Sequence, residues 1–297
     1  IPTNVFTGYS SVNGNLGDLE NDGFEIGLNT INIALKDFTW SSQLNMAFNE
    51  NKITNLRLIN ETTTGDTRVN EQFVVGYPAF SLFAFDYAGL DENGDPQVRL
   101  ADGTITTEPN VTTPEDIKHM GTTQPKWNGG FGNTFSYKNL SLNVNTVFSL
   151  GHVMRRDVNN RYQGTRLDAA NYNFTSGNIN EDFLDRWMEP GDEEFTDIPR
   201  FVDIESGNRD TDYYVNGDSN IISASYIKIR DINLLYRLPN NIFGNSGIDQ
   251  VTLRGQVSNI LLWADNDYDI DPEYHFYGGS RVLRRGQRVT LGLNVKF

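Results

Sequence analysis

Phe38-Thr39-Trp40-Ser41-Ser42-Gln43-Leu44-Asn45-Met46-Ala47-Phe48-Asn49 reads as one long β-strand. Successive side chains of a strand point to opposite faces. Phe38, Trp40, Ser42, Leu44, Met46 and Phe48 therefore share one side, and Thr39, Ser41, Gln43, Asn45, Ala47 and Asn49 the other. The pattern returns further on, where Leu140, Leu142, Val144, Thr146, Phe148 and Leu150 alternate with Ser141, Asn143, Asn145, Val147 and Ser149. Each copy follows another strand and a two-residue turn, Lys36-Asp37 or Lys138-Asn139. A tilted strand needs roughly 9–11 residues to cross a bilayer. Strands of that length, apolar on one face and neutral polar on the other, predict a transmembrane antiparallel β-barrel.

Composition is consistent with this. The 297 residues contain no cysteine, which excludes disulfide frameworks, thiolate metal sites and cysteine nucleophiles. A formal net charge of −15 argues against nucleic acid as a partner, since such binding rests on neutralising phosphates. Only 37% of residues are hydrophobic, as suits a wall in which every second residue meets lipid. No apolar run approaches the ~18 residues of a spanning helix. Ile1 brings neither an initiator methionine nor a signal peptide, so the reading is of a mature chain or a piece of one.

Seven strands can be read along the chain, with two more in question. The first runs from Gly23 to about Ala34, the second to near Lys52, the third from Trp127 to Tyr137, and the fourth to near Leu150. Tyr226 to Leu238 forms a fifth with a phase slip between Ile229 and Ile232, which one extra residue near Arg230-Asp231 reconciles. Val251, Leu253, Gly255 and Val257 mark a sixth; Val289, Leu291, Leu293, Val295 and Phe297 mark the last. Connections alternate between short (36–37, 138–139, about 239–248) and long (53–125, 151–220, 261–285), like periplasmic turns and outer loops. Segment 73–100 reads either as a membrane hairpin turning at Asn93-Gly94 or as part of an outer loop. About seven to nine strands with an open edge cannot stand alone in lipid, so the expectation is the C-terminal part of a larger barrel.

A soluble β-sandwich is the competing reading. Strands in globular proteins average about five or six residues, and their solvent face usually carries Lys and Glu rather than Asn, Ser, Thr and Gln. Strand length and face chemistry favour the membrane. The terminal aromatic Phe297 also resembles the assembly signal of outer-membrane proteins.

Several stretches, in this order, resemble the SusC-like branch of TonB-dependent outer-membrane transporters. They include Asn21-Asp22-Gly23-Phe24-Glu25-Ile26, Gly89-Leu90-Asp91-Glu92-Asn93-Gly94-Asp95-Pro96 and Pro125-Lys126-Trp127-Asn128-Gly129-Gly130-Phe131. Ser225-Tyr226-Ile227-Lys228-Ile229-Arg230-Asp231, Ser258-Asn259-Ile260-Leu261-Leu262-Trp263 and Asp271-Pro272-Glu273 continue the match. The resemblance implies a barrel of about 22 strands, of which residues 1–297 are the C-terminal third or so. It implies a plug and a TonB-interacting segment in an N-terminal part that these residues do not include. It further implies a SusD-like lipoprotein partner and import of oligosaccharides or peptides at the outer membrane of a Gram-negative cell. The rival from another class is a non-transporting barrel of the same family, used as a structural or accessory subunit of an outer-membrane assembly or secretion complex.

No residue pattern reads as catalytic, and no cofactor is expected. His119, His152 and His275 are scattered in loops without metal-ligand spacing. Asp91, Asn93, Asp95 and Asp102 have calcium-loop spacing, but Pro96 occupies the place of the sharp-turn glycine, so a hairpin turn is expected. Asp265, Asp267, Asp269 and Asp271, with Glu273, form a denser oxygen cluster; it is a weak calcium candidate beside a solvated loop or partner contact. Tyr213, Tyr214, Tyr274, Phe276 and Tyr277 read as exposed loop aromatics suited to contact a partner protein or a ligand. Loop 151–220 carries 15 Asp and Glu against 7 Arg. That excess marks either a hydrated outer surface or a contact with the lipoprotein. Arg281, Arg284, Arg285 and Arg288 stand where the last strand begins, placed to pair with the acidic loops or to bind lipopolysaccharide phosphates beside the lipid.

Overall fold

The computed structural model describes residues 17–57, 62–159, 162, 180–202, 209–244, 247–276 and 280–297. Seven long strands form one antiparallel sheet: β1 (Gly17–Ala34), β2 (Phe38–Leu56), β3 (Trp127–Tyr137), β4 (Leu140–Leu150), β5 (Tyr226–Arg237), β6 (Gln250–Ala264) and β7 (Arg288–Lys296). Their order in the sheet is their order in the chain, the up-and-down topology that alternating short and long connections require. Short connections (35–37, 138–139, 238–249) lie at one end, and long ones (57–126, 151–225, 265–287) at the other. Among the described residues, no helix is long and apolar enough to cross a membrane.

Cross-strand pairing sorts the side chains into rows. Leu28, Leu44, Phe131, Thr146, Ile229 and Ile260 form one row, and Ile26, Met46, Gly129, Phe148, Ile227 and Trp263 the next. These belong to the apolar outer face, on which Leu291 is 83% and Leu293 65% exposed. Such exposure costs nothing where the neighbour is lipid. Aromatic rings flank the apolar band. Phe24, Phe48 and Trp127 cluster toward the long-loop end, with Phe48 and Trp127 centroids 4.7 Å apart. Trp40 stacks on Phe135 at 5.6 Å toward the turns. The two groups lie eight residues apart along β2, about 26 Å of strand. With the tilt of barrel strands this is about 20 Å along the membrane normal, and the rings at either end extend it toward the roughly 25 Å band that aromatic girdles flank. The polar residues on this face are satisfied locally: Trp40 Nε1 and Ser42 Oγ both donate to Asn133 Oδ1, at 3.0 and 2.7 Å.

The opposite face is polar. Asn29, Gln43, Gly132, Asn145, Asp231, Ser258 and Arg288 form one row across all seven strands. Ile31, Ser41, Thr134, Asn143, Asn233, Gln256 and Thr290 form the adjacent one. The expected bulge in β5 is present: against β4 the register shifts between Ile229 and Asp231, leaving Arg230 as the extra residue. It keeps Ile227 and Ile229 on the same side as Ile232 and Leu234. A second bulge, at Leu262 in β6, was not foreseen.

Two expectations about the strands are refined. β1 and β2, at 18 and 19 residues, run beyond the membrane span into an acidic outer extension. Segment 73–100 belongs to the outer loops. Ser81–Phe85 pairs with Ile117–Thr122, and Tyr87–Leu90 pairs with Pro96–Arg99 through the Asn93-Gly94 turn, all apart from the main sheet. Among the described residues the wall thus has seven strands, with β1 and β7 at its open edges.

Candidate functional site

The inner wall carries a hydrogen-bonded ladder. Asn143 Nδ2 donates to Thr134 Oγ1 at 2.9 Å, and Asn145 Nδ2 donates to Asn143 Oδ1 at 2.8 Å and to Asp231 Oδ1 at 3.0 Å. Asn233 Nδ2 also donates to Asp231, and Arg254 Nη2 reaches Asn233 Oδ1 at 3.1 Å. Period-two alternation puts these groups on one face, and register brings them level. A polar hollow of about 410 Å³ lies against the wall, bordered by Asn29, Ser41, Gln43, Gly132, Thr134 and Asn145. Amide and hydroxyl groups with few fixed charges suit a water-filled passage for neutral polar solutes.

Above the wall, the three long loops fold into one packed cap. One cluster joins Val69, Phe85 and Val98 of the first loop to Tyr213 of the second. Another joins Met154 and Ala224 of the second to Ile270 of the third. A third holds Tyr162, Phe183 and Tyr214, with Tyr87 packed against it. Ion pairs tie the same loops. Asp95 takes Arg200 in a bidentate pair, with both contacts 2.9 Å, and Arg209 Nε at 2.9 Å. Arg155 Nη2 donates to Phe83 O at 2.8 Å, and Arg156 meets Asp182 and the ring of Tyr268.

Tyr213 and Tyr214 are therefore not exposed contacts, contrary to the sequence reading. They are 0% and 1% exposed. Tyr213 meets Phe85 edge-on at 5.0 Å and donates to Glu108 O at 2.6 Å; burial raises its phenol pKa above the usual range. Their flanks, Asp210-Thr211-Asp212 and Asn216-Gly217-Asp218, are polar and suggest surface, whereas the rings that cover them, Phe85 on Tyr213 and Tyr87, Tyr162 and Phe183 around Tyr214, come from distant parts of the chain. Tyr274 is half-buried: its ring covers Lys228 Nζ at 4.8 Å and its hydroxyl reaches Asn259 Oδ1 at 3.5 Å. The Phe276 side chain and Tyr277 lie outside the described residues.

The acidic run 265–273 does not converge. Asp265, Asp267 and Asp269 are exposed, whereas Asp271 turns inward to Lys228 Nζ at 2.8 Å. Among the described residues no three acidic or histidine side chains come together to hold a metal ion. Lys228, 0% exposed, also pairs with Glu273 at 2.7 Å, and Arg230 and Tyr226 reach Glu273 as well. This buried cluster, which anchors the third loop to β5, was missed. Its one sequence signal is a lysine at an inward position between Ile227 and Ile229. Asp91 forms the expected turn, accepting from Asn93 N at 2.9 Å and Asp95 N at 2.8 Å. Arg284 pairs with Asp271 at 3.4 Å, while Arg285 and Arg288 have no carboxylate within 4 Å among the described residues. The Arg281 side chain lies outside them.

His119 accepts or donates at Ser81 Oγ, 3.1 Å away, and His275 Nε2 contacts Arg155 O. His152 sits where the second loop leaves β4, its carbonyl accepting from Ala224 N at 3.0 Å. Burial pushes its pKa down from 6.5 to about 4. An opened cap takes up the proton that the closed one refuses, so closure loses stability as pH falls from about 6.5 toward 4. Protection of the amides at 151–156 and 221–225, taken relative to their intrinsic exchange rates at each pH, should fall across that window, and His152→Gln should flatten the dependence.

No protein-family model matches the chain. TonB-dependent receptor P26 of Formosa agariphila is 30% identical over 328 residues, covering 98% of this chain and 30% of that protein. TonB-dependent receptor P3 of the same organism is 27% identical over 335 residues, covering 100% and 30%. TonB-dependent receptor SusC of Bacteroides thetaiotaomicron is 34% identical over 92 residues, which is 28% of this chain and 9% of that protein. A solved structure described as the RagAB peptide transporter superposes with a TM-score of 0.71 at 22% identity, covering 100% of this chain and 31% of that one. The chain spans about 30% of the length of the curated relatives it matches. Its sheet is a segment of the antiparallel wall that such barrels share.

Proposed function

We infer that this chain, a segment of a SusC-like TonB-dependent receptor, forms C-terminal barrel wall and outer cap in a protein that imports oligosaccharides or peptides across the outer membrane. The observation that carries the reading is the seven-strand wall itself, with an apolar girdled outer face and an inner face of amides and hydroxyls. In this reading the open edges of β1 and β7 pair with strands of the remaining barrel, about 22 strands in all. Energy comes from TonB through the rest of the protein, and a SusD-like lipoprotein works with the outer loops. The relative named SusC supports the receptor family, and the solved structure described as a peptide transporter supports peptides as a substrate class.

The test is uptake by the full-length protein in its native host. Accumulation of labelled oligosaccharide or peptide should require both the receptor and TonB, and fall to background when either is removed. Unchanged uptake without the receptor, alongside defective assembly or secretion of other outer-membrane proteins, would instead identify a structural subunit.

A further inference from the structure

Residues 181–197 of the second loop form a small lobe that closes on itself. Thr196 Oγ1 donates to Asp185 O at 2.7 Å, Asp192 Oδ2 accepts from Met188 N at 2.9 Å, and Phe195 N donates to Asp192 O at 2.8 Å. Trp187 pins it to the cap: the indole packs over Gly94, where a Cβ would lie 2.4 Å from its ring, and its backbone N donates to Ile198 O. Gly94 also sits at φ +75, so glycine there serves both the turn and the wedge.

Phe183 and Trp187 point inward at 3% and 8% exposure, and the residues after them point out. Leu184 is 75%, Met188 64% and Phe195 86% exposed. Each is next to an exposed acid, in Leu184-Asp185, Met188-Glu189 and Glu194-Phe195. Among the described residues, none of these three acids has a cationic side chain within 4 Å. The lobe carries eight Asp and Glu against one Arg. Large apolar side chains on a hydrogen-bonded lobe, ringed by unneutralised acids, have the anatomy of an interface core and rim.

We propose that Leu184, Met188 and Phe195 anchor an outer-face partner protein that offers an apolar hollow ringed by Lys and Arg. The proposal rests on the reading that this chain works with an outer-face lipoprotein, and it places the contact. Charge selects this occupant. A second copy of the same lobe, with eight Asp and Glu against one Arg, meets the acidic rim with repulsion, and so does the anionic lipopolysaccharide surface.

A photo-reactive residue at 188 or 195 of the full-length receptor, irradiated in native outer membranes, tests this directly. The expected adduct joins a separate outer-face lipoprotein at a site lined by apolar and basic residues. Adducts to lipopolysaccharide, to a second receptor copy or to any other part of the same receptor would overturn the proposal. Leu184→Ser/Met188→Ser/Phe195→Ser should lower co-purified lipoprotein at least tenfold while the barrel keeps its heat-resistant gel mobility. Glu189→Lys/Glu194→Lys should lower it several-fold, with reduced dependence on salt. Retention of the lipoprotein by the triple variant defeats this contact and leaves the partnership standing. A wild-type receptor that carries no outer-face protein defeats the partnership, and the contact with it.

Discussion

An arginine at Val144 is expected to destabilise the assembled barrel by about 2–4 kcal/mol, and an arginine at the adjacent Asn143 by far less. Val144 lies near the middle of β4, in the outer-face row Thr30, Ser42, Asn133, Val144, Ile232, Val257 and Val289. A guanidinium there must be buried in hydrocarbon or drag water in with it. Asn143 belongs to the inner ladder, where the same charge stays hydrated. Denaturant unfolding of the full-length barrel in vesicles measures both variants. The opposite order would mean that β4 is one residue out of register, because a single step exchanges the two faces.

Lys228→Met should cost about 3–5 kcal/mol and release the third long loop, because it removes the buried cation shared by Asp271 and Glu273 and leaves them only the more exposed Arg284 and Arg230. Asp271 is 1% exposed and Glu273 16%, so neither can recover hydration without movement. The loss should appear as faster protease cleavage within 265–287 and a lower thermal transition of the full-length receptor. Adding Asp271→Asn should restore part of it, since the most deeply buried carboxylate of the cluster is then gone. If the single variant keeps wild-type protease resistance, the cluster does not hold the loop.

The transmembrane wall was legible in the amino-acid sequence because its information is local. Alternation at period two places Leu44 with lipid and Asn45 with water whatever the rest of the chain does. The slip between Ile229 and Ile232 could be read as a bulge because a strand with one buried side tolerates no other solution. Turn chemistry at Asp37 and Asn139 and the alternation of connection lengths supplied the topology.

The cap was not legible in this way, because its contacts join residues far apart in the chain. Tyr213 meets Phe85, Asp95 meets Arg200 and Lys228 meets Asp271, and nothing in the neighbourhood of either member announces the other. Polar flanks made Tyr213 and Tyr214 look exposed, and the dense acids of 265–273 resembled an ion site. Tertiary packing decided otherwise: Tyr213 is enclosed by the first loop, Tyr214 by Tyr87 and by Tyr162 and Phe183 of its own loop, and the inward acid is neutralised by a lysine from β5. Residues 181–197 show the same division. Composition alone gave their negative charge, but only the fold turned Phe183 and Trp187 inward and left Leu184, Met188 and Phe195 facing out. A strand's period fixes direction residue by residue, whereas a loop's side chains take theirs from whatever distant segment folds against them.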